Sequence, residues 1–277
     1  WEPFFPMAFR HGDVYNFSLT RCYAGQKSTA VPTSPPCFTY PGDPGFSGKS
    51  GLETKWATFD PRIGLAWDPT GSGRTAIRIG AGMAHDFVRQ DMHVNTSSVQ
   101  PWNLTVVQSG INLDDPYKTL PGGNPFPYVY NKNTSPVFSP YGSYLPLPPD
   151  MKTQRQYTWN LGIQQQVTPD LFVSGTFLGT HLIHLWTQKE RNPALFLGLG
   201  PCTLNTVSGP VSYPVCSTLA NVNQRRILNL ANPSAALGYL TQYDDGGTQG
   251  YNGMLLDMRW RHGRNLNVNS NYTWSHC

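Results

Sequence analysis

Hydrophobic and polar residues alternate one by one along six segments of the chain, a pattern typical of β-strands whose two faces meet different surroundings. In residues 56–68 the apolar positions are Ala57, Phe59, Pro61, Ile63, Leu65 and Trp67. The same alternation predicts further strands near 74–87, 154–167, 171–183, 251–261 and 265–276. Helix signals are scarce between these segments, so the sequence predicts an all-β protein.

The lengths of the strands and of their connections indicate a particular β architecture. Strands of about ten to thirteen residues exceed the usual five or six and match the length that a tilted strand needs to cross a bilayer. Short turns near 69–73, 168–170 and 262–264 alternate with long loops near 6–53, 88–153 and 184–250. We therefore predict an antiparallel meander of long hairpins in a transmembrane β-barrel, with short turns on one side and long loops on the other. The whole of 1–277 is expected to form a single β-domain.

Aromatic residues mark both ends of the predicted strands. Trp67 and Trp260 lie near the short turns. The long-loop ends carry Tyr157, Trp159, Tyr272 and Trp274. Such rings settle at the two membrane interfaces of a barrel, so we predict that these six residues form two interface belts.

Two other classes of protein fit the alternation. A soluble, secreted β-protein that binds carbohydrate or peptide through its loops would bury Ile79, Leu161, Leu256 and Val268 inside a sandwich. A secreted hydrolase on a β-scaffold would need converging acids or a nucleophile–base pair. The acid pairs Asp114–Asp115 and Asp244–Asp245 lie in long loops and favour turns, so we expect no enzyme.

The composition of the chain excludes further classes of protein. Charged residues make up only 13% of the chain, and its 20 basic and 16 acidic side chains form no block of one sign, so no nucleic-acid partner is expected. No apolar run is long enough for a transmembrane helix. The mean hydropathy of -0.39 is compatible with barrel strands because alternate positions are polar.

Several motifs, in order along the chain, carry a family resemblance. They are WEPFFP at 1–6, FDPRIGLAWDPTGSGRT at 59–75, GNPFP at 123–127, YTWNLGIQ at 157–164, NQRR at 223–226, DDGG at 244–247, YNG at 251–253 and NYTWSHC at 271–277. Together they resemble the barrel of TonB-dependent outer-membrane receptors of the Oar-like type found in Acidobacteria.

The resemblance implies a location, a function and a set of partners. It places the chain in the bacterial outer membrane, with secretion as the alternative, as a middle slice of a barrel of about 22 strands. Trp1 is expected at the end of one strand and Cys277 at the top of another, and no plug domain is seen. The implied function is TonB-dependent uptake of an unidentified ligand. The implied partners are outer-membrane lipid, the remainder of the parent barrel and its plug, TonB through a missing N-terminal part, and a small extracellular ligand, sugar or peptide.

The cysteines are candidates for loop disulfides. Cys22 and Cys37 share one long loop, and Cys202 and Cys216 share another. Each pair either forms a disulfide or remains as buried thiols, and Cys277 is left over. There is no C-x-x-C, G-x-S-x-G or phosphate-binding loop motif, and we expect no metal, cofactor or catalytic residue.

Overall fold

The structure is a computed structural model that describes residues 1–104, 112–118, 123–131 and 135–277. The predicted loop near 88–153 therefore lies partly outside the described residues. The strands are β1 (Asn16–Phe17), β2 (Phe38–Thr39), β3 (Arg62–Trp67), β4 (Thr75–Asp86), β5 (Gly142–Tyr144), β6 (Gln154–Thr168), β7 (Leu171–Glu190), β8 (Cys202–Thr206), β9 (Gly209–Tyr213), β10 (Leu237–His262) and β11 (Leu266–His276). The helices are α1 (Leu19–Tyr23), α2 (Gln90–Ser97), α3 (Ile227–Ala231) and a 3-10 turn at Pro233–Ala235.

The long strands form one antiparallel sheet in the order β11-β10-β7-β6-β4-β3. Strand β5 adds a short parallel pairing to β10, while β1–β2 and β8–β9 form separate two-stranded sheets in the loops. The all-β fold and its antiparallel hairpins are confirmed. The sheet is not closed into a barrel, because β3 and β11 form two open edges.

The register separates the two faces of the sheet. One cross-strand row joins Trp67, Ile77, Ile163, Gly175, Leu256 and Tyr272, and the next joins Leu65, Ile79, Leu161, Phe177, Met254 and Trp274. We call the side that these rows occupy the apolar face. The intervening positions form the polar face, with rows such as Ala76, Gln164, Ser174, Asp257 and Asn271.

The apolar face is uncovered. Ile79, Leu161 and Leu256 are exposed by 46%, 43% and 39%, and Val268 is half-buried on the same side. A sandwich would have buried all four residues against a second sheet. The described residues form no such second layer, so the arrangement argues against the soluble-sandwich alternative.

The strand ends are staggered along the sheet. Trp67 and Leu256 belong to the same cross-strand row. Strand β3 ends at Trp67, whereas β10 continues for six residues beyond Leu256, to His262, before it reaches its short turn. Strands of a barrel are tilted, so a register row runs obliquely to the membrane plane. Trp67 therefore lies at the short-turn end, while Tyr272 in the same row lies nearer the long loops.

Three strand boundaries differ from those predicted. Strand β3 begins at Arg62 rather than near 56. Pro61 has no N–H to donate to the hydrogen bonds between strands, and residues 55–58 pair with residues 2–4 and not with β4. Strands β7 and β10 extend to Glu190 and back to Leu237 across the predicted loop 184–250. These extensions lack simple alternation because the loops bury residues such as Leu237 and Leu240 completely.

The hydrophobic core lies among the loops and not within the sheet. We call the assembly of residues 6–53, the described part of 88–153, and 191–236 the loop cap. Its first cluster packs on Leu237 and Leu240 of β10 and contains Tyr15, Phe17, Cys22, Cys37, Phe38, Tyr40, Tyr144, Leu228 and Ala235. Its second packs on Tyr243 of β10 and contains Leu52, Val88, Met92, Leu147 and Met151. The long loops are therefore folded structure that packs on the extended ends of β7 and β10.

The separation of faces can be tested with two adjacent substitutions on β6. Leu161→Arg places a charge at mid-strand on the apolar face and should lower the free energy of unfolding in lipid vesicles by about 2–4 kcal/mol. Asn160→Arg places the same charge on the exposed polar face and should change it by less than about 1 kcal/mol. Urea unfolding in vesicles measures both. Equal losses would contradict the assignment of the faces.

Candidate functional site: the loop cap and the polar face

Tyr15 is the centre of the loop cap. Its ring is fully buried, stacks on Trp102 at 5.5 Å and meets Phe38 edge-on at 5.2 Å between ring centroids. Its hydroxyl accepts a hydrogen bond of 2.8 Å from the N–H of Leu145. Burial raises the pKa of Tyr15 well above its ordinary value, so the hydroxyl remains neutral. This residue joins the N-terminal loop to the loop that precedes β6.

Asn16 strengthens the same junction. Its side-chain amide donates hydrogen bonds of 2.8 Å to the carbonyl oxygens of Gly51 and Leu147. Because Asn16 is itself buried, these bonds satisfy polar groups that water cannot reach. The two loops are thereby held at a fixed position relative to each other.

Asp43 organises residues 28–43 of the cap. Its carboxylate accepts hydrogen bonds from the hydroxyl of Ser28 (2.6 Å), from the hydroxyl and N–H of Thr29 (2.8 and 2.7 Å), and from the N–H groups of Ala30 (3.0 Å) and Tyr40 (2.9 Å). Burial raises the pKa of Asp43, but these hydrogen bonds outweigh burial and hold it well below the usual range. The ionised carboxylate is a structural anchor.

A buried polar network fixes the remaining part of the cap where β7 ends and β10 begins. Asn192 donates to the carbonyl oxygens of Leu237 and Gly238 and accepts from the N–H of Leu228. The guanidinium of Arg226 donates to the Asn192 carbonyl at 2.7 Å and lies 4.1 Å above the ring of Tyr239. The NQRR motif at 223–226 therefore holds the loop structure, a role that its sequence did not indicate.

Both candidate cysteine pairs are disulfide-bonded in the structure. Cys22 joins Cys37 across a separation of 15 residues, and Cys202 joins Cys216 across 14. The second bridge closes the β8–β9 hairpin. Cys277 is free and exposed.

The polar face carries most of the charged groups of the sheet. Arg259 lies above the ring of Phe172 at 5.9 Å, and Ser174 hydrogen-bonds to Asp257 at 3.3 Å. A cavity of about 640 Å³ near the short turns is lined by Asp170, Phe172, Asp257, Arg259, Asn267 and Asn271, among others. This face can supply many hydrogen bonds to a hydrated solute or to another polar domain.

The six aromatic residues predicted for the belts all lie on the apolar face. Their register partners on that face are Ile77 for Trp67, Ala81 for Trp159, Met83 for Tyr157, Val268 for Trp260, Leu256 for Tyr272 and Met254 for Trp274. The Trp159 ring covers Gly179, where an added Cβ would lie 2.2 Å from it. Glycine is therefore required beneath this ring.

Sequence reasoning missed a further group of exposed aromatics. Trp1, Phe5, Trp56 and Phe59 are each more than half exposed. Phe5 contacts Trp56 edge-on at 5.0 Å between centroids, and the Trp1 indole donates to the Trp56 carbonyl. These aromatics fall in two segments, residues 1–5 and 56–59. The high aromatic content of both segments was the available signal, but no pattern in the sequence indicated that the two segments meet.

Among the described residues, no group of three His, Cys, Asp or Glu side chains could hold a metal ion. His181 lies opposite Tyr157 on the apolar face, and His184 approaches the Asp245 carbonyl at 3.3 Å. No described helix is long and apolar enough to cross a membrane.

Comparison with known protein families assigns the class. A model of the outer membrane beta barrel domain matches residues 1–277. The chain therefore belongs to this family of outer-membrane barrels, and its location is the bacterial outer membrane. No curated protein matches the sequence.

Three solved structures are similar to parts of the chain. The siderophore receptor PirA from Pseudomonas aeruginosa is 11% identical (TM-score 0.37; 81% of this chain, 28% of that chain). The siderophore receptor PirA from Acinetobacter baumannii is 11% identical (TM-score 0.39; 81% and 23%). The outer membrane transporter YddB from Escherichia coli is 13% identical (TM-score 0.40; 78% and 20%). The chain spans less than a third of the length of each of these proteins.

The role of Asp43 predicts a pH dependence of the loop cap. Because its pKa is lower in the folded protein, the carboxylate stabilises the cap fully above the unfolded pKa of about 4, and this contribution declines as the pH falls below that value. Asp43→Asn should lower the stability of the cap at pH 7 by about 3 kcal/mol and flatten its acid dependence. Hydrogen exchange of the amides of residues 28–43 measures both.

Asp150→Asn is the matched control, because Asp150 is an exposed aspartate of the cap. It should leave amide exchange at 28–43 unchanged. Wild-type protection in the Asp43→Asn variant at pH 7 would disprove the anchoring role.

Proposed function

We propose that the chain forms part of a receptor barrel of the TonB-dependent, Oar-like type, which takes up a small extracellular ligand across the outer membrane. The observation that carries this proposal is the combination of one sheet with a polar face and an ordered loop cap at its long-loop end. A wall of hydrogen-bonding groups suits the passage of a hydrated solute, and folded loops suit its capture.

The chemistry of the polar face supports a polar ligand. Four guanidinium groups occupy it, from Arg62, Arg78, Arg259 and Arg261. The asparagines at 267, 269 and 271 follow one another along β11 on the same face. Such groups bind the hydroxyl, carbonyl and carboxylate groups of a sugar or a short peptide.

The segment between β7 and β8 is our candidate for the first contact with the ligand. Leu195, Phe196, Leu197 and Leu199 are exposed, Phe196 by 73%. The Cys202–Cys216 disulfide and the hydrogen bond from the Leu197 N–H to Ser217 (2.8 Å) hold this segment against the hairpin. A fixed apolar segment loses little conformational entropy when it binds the apolar part of a ligand.

The two open edges of the sheet indicate that further strands pair with it in the membrane. Unpaired backbone groups cost several kcal/mol each inside a bilayer, and β3 and β11 each leave one side unpaired in the sheet. We propose that additional strands of a parent barrel cover both edges, and that a plug and TonB complete the transporter.

We also propose that the chain has no hydrolytic role. Asp244 accepts a hydrogen bond from Arg191 at 3.2 Å, and Asp245 accepts one from the N–H of Lys152 at 2.7 Å. Both members of this acid pair therefore have structural partners that join the ends of neighbouring strands.

Energised uptake can be tested in cells that carry the receptor in the outer membrane. A library of fluorescent oligosaccharides and short peptides is applied to cells with and without TonB. We expect at least one probe to accumulate only when TonB is present, because transport through a plugged barrel requires energy. Accumulation that is independent of TonB would indicate a passive pore.

The segment between β7 and β8 can be tested by substitution as the site of first contact with the ligand. Phe196→Ser should weaken surface binding of the accumulated probe about tenfold, as expected for the loss of a buried aromatic contact of 1–3 kcal/mol. Val207→Ser is the control, because Val207 is an exposed apolar residue in the β8–β9 turn. Equal binding by both variants and the wild type would exclude the segment.

A further inference from the structure

A second cavity lies where β6 begins and is lined by Arg155, whose register position is on the apolar face. Its volume is about 390 Å³, and the side chains that concern us are Glu53, Lys55, Trp56, Lys152, Arg155 and His184. We propose that this cavity binds the phosphate of an anionic lipid headgroup in the outer leaflet of the membrane. Its lining shares no residue with the cavity on the polar face, so this proposal does not depend on the transport function.

The register places the cavity at the level of lipid headgroups. Arg155 lies on β6 two residues beyond Tyr157 and four beyond Trp159, and all three therefore project from the apolar face. At about 3.3 Å per residue, Arg155 is roughly 7 Å farther along the strand than Tyr157. Interface aromatics mark the boundary of the hydrocarbon layer, and headgroups lie immediately beyond it.

Arg155 is held in position by a chain of polar contacts. Its Nε donates to His85 Nε2 at 3.0 Å, and one terminal nitrogen donates to the Tyr157 hydroxyl at 3.3 Å. The other ring nitrogen of His85 lies 2.6 Å from Asp60, and the His85 side chain is 1% exposed. A guanidinium has five N–H donors, so Arg155 retains donors for a phosphate without having to move.

Lys152 adds a cation whose backbone is fixed and whose side chain is free. Its N–H donates to Asp245 at 2.7 Å, and its carbonyl accepts from the Trp186 indole at 2.8 Å. Its ammonium group has no partner in the described part of the chain, and the residue is exposed. Lys55 also lines the cavity and pairs with Glu53 at 3.2 Å. Three cations thus face one carboxylate across the cavity.

The exposed aromatics identify the occupant as a lipid. Trp56 lines the cavity and is 59% exposed, and Phe5 lies against it. Trp1, whose indole donates to the Trp56 carbonyl, enlarges this apolar surface. A soluble phosphate would gain nothing from such a surface, whereas an amphiphile places its charged group on the cations and its chains on the rings. Basic pockets beside membrane-spanning segments are a recognised form of headgroup site.

The test measures lipid binding by the protein purified from outer membranes in mild detergent. The probes are mixed micelles that contain diphosphorylated lipid A, micelles with its dephosphorylated form, and inorganic phosphate. We expect binding of the phosphorylated form to weaken about fivefold for Lys152→Gln and more for Lys152→Gln combined with Arg155→Gln, since each basic group near a membrane surface contributes a factor of this size.

Lys49→Gln is the matched control. It removes the same charge from an exposed lysine of the loop cap that does not line the cavity, so lipid binding should equal that of the wild type. Heat-modifiable mobility on gels verifies folding. Because the hydrogen bonds of Lys152 to the described residues use only its backbone groups, its variant keeps the test valid even if Arg155→Gln perturbs the fold.

Three outcomes would overturn the proposal. The first is wild-type affinity in the Lys152→Gln variant. The second is an equal loss of affinity in Lys49→Gln, which would indicate a general charge effect. The third is equal binding of the dephosphorylated lipid, or binding of inorganic phosphate as tight as that of the phosphorylated lipid.

Discussion

The pairing of backbone groups across the long strands is the constraint on which the rest of the structure depends. Inside a bilayer no water replaces a missing partner, so each N–H and C=O must bond to a neighbouring strand. The resulting register brings Ile79, Leu161 and Phe177 side by side on one face. A shift of one residue would turn a whole strand over and place its polar side chains in lipid.

Outside the membrane a different set of forces orders the chain. Strands β7 and β10 continue beyond the apolar face and carry a cap with its own aromatic core, two disulfides and buried polar networks. Where strand pairing ends, side chains such as Asn192 bond to the backbone in place of a neighbouring strand. The loops are therefore positioned by packing and by satisfied hydrogen bonds, and the sheet supplies only their attachment points.

The two faces of the same strands serve two environments. On β6, Trp159 and Leu161 face the lipid side, while Asn160 between them faces the polar side. This arrangement lets one sheet present a polar surface on one side and an apolar surface to hydrocarbon on the other. Arg155, which lines the second cavity, lies on the apolar face and not on the polar face.

The sequence by itself determined the β-class, the three hairpins and the partition of the faces, because period-two alternation is a local property that survives without any knowledge of neighbours. The outer-membrane family was indicated by the resemblance of the motifs and not by the periodicity. The sequence did not determine the extensions of β7 and β10 or the structural role of the NQRR motif. The loops bury Leu237 and Leu240 of the β10 extension completely, so this part of the strand leaves no periodic signal. The pocket around Arg155 likewise joins residues 53–58 to 152–155 and 184. Only the tertiary structure could bring these segments together, because strand order and loop packing, and not sequence distance, decide which side chains meet.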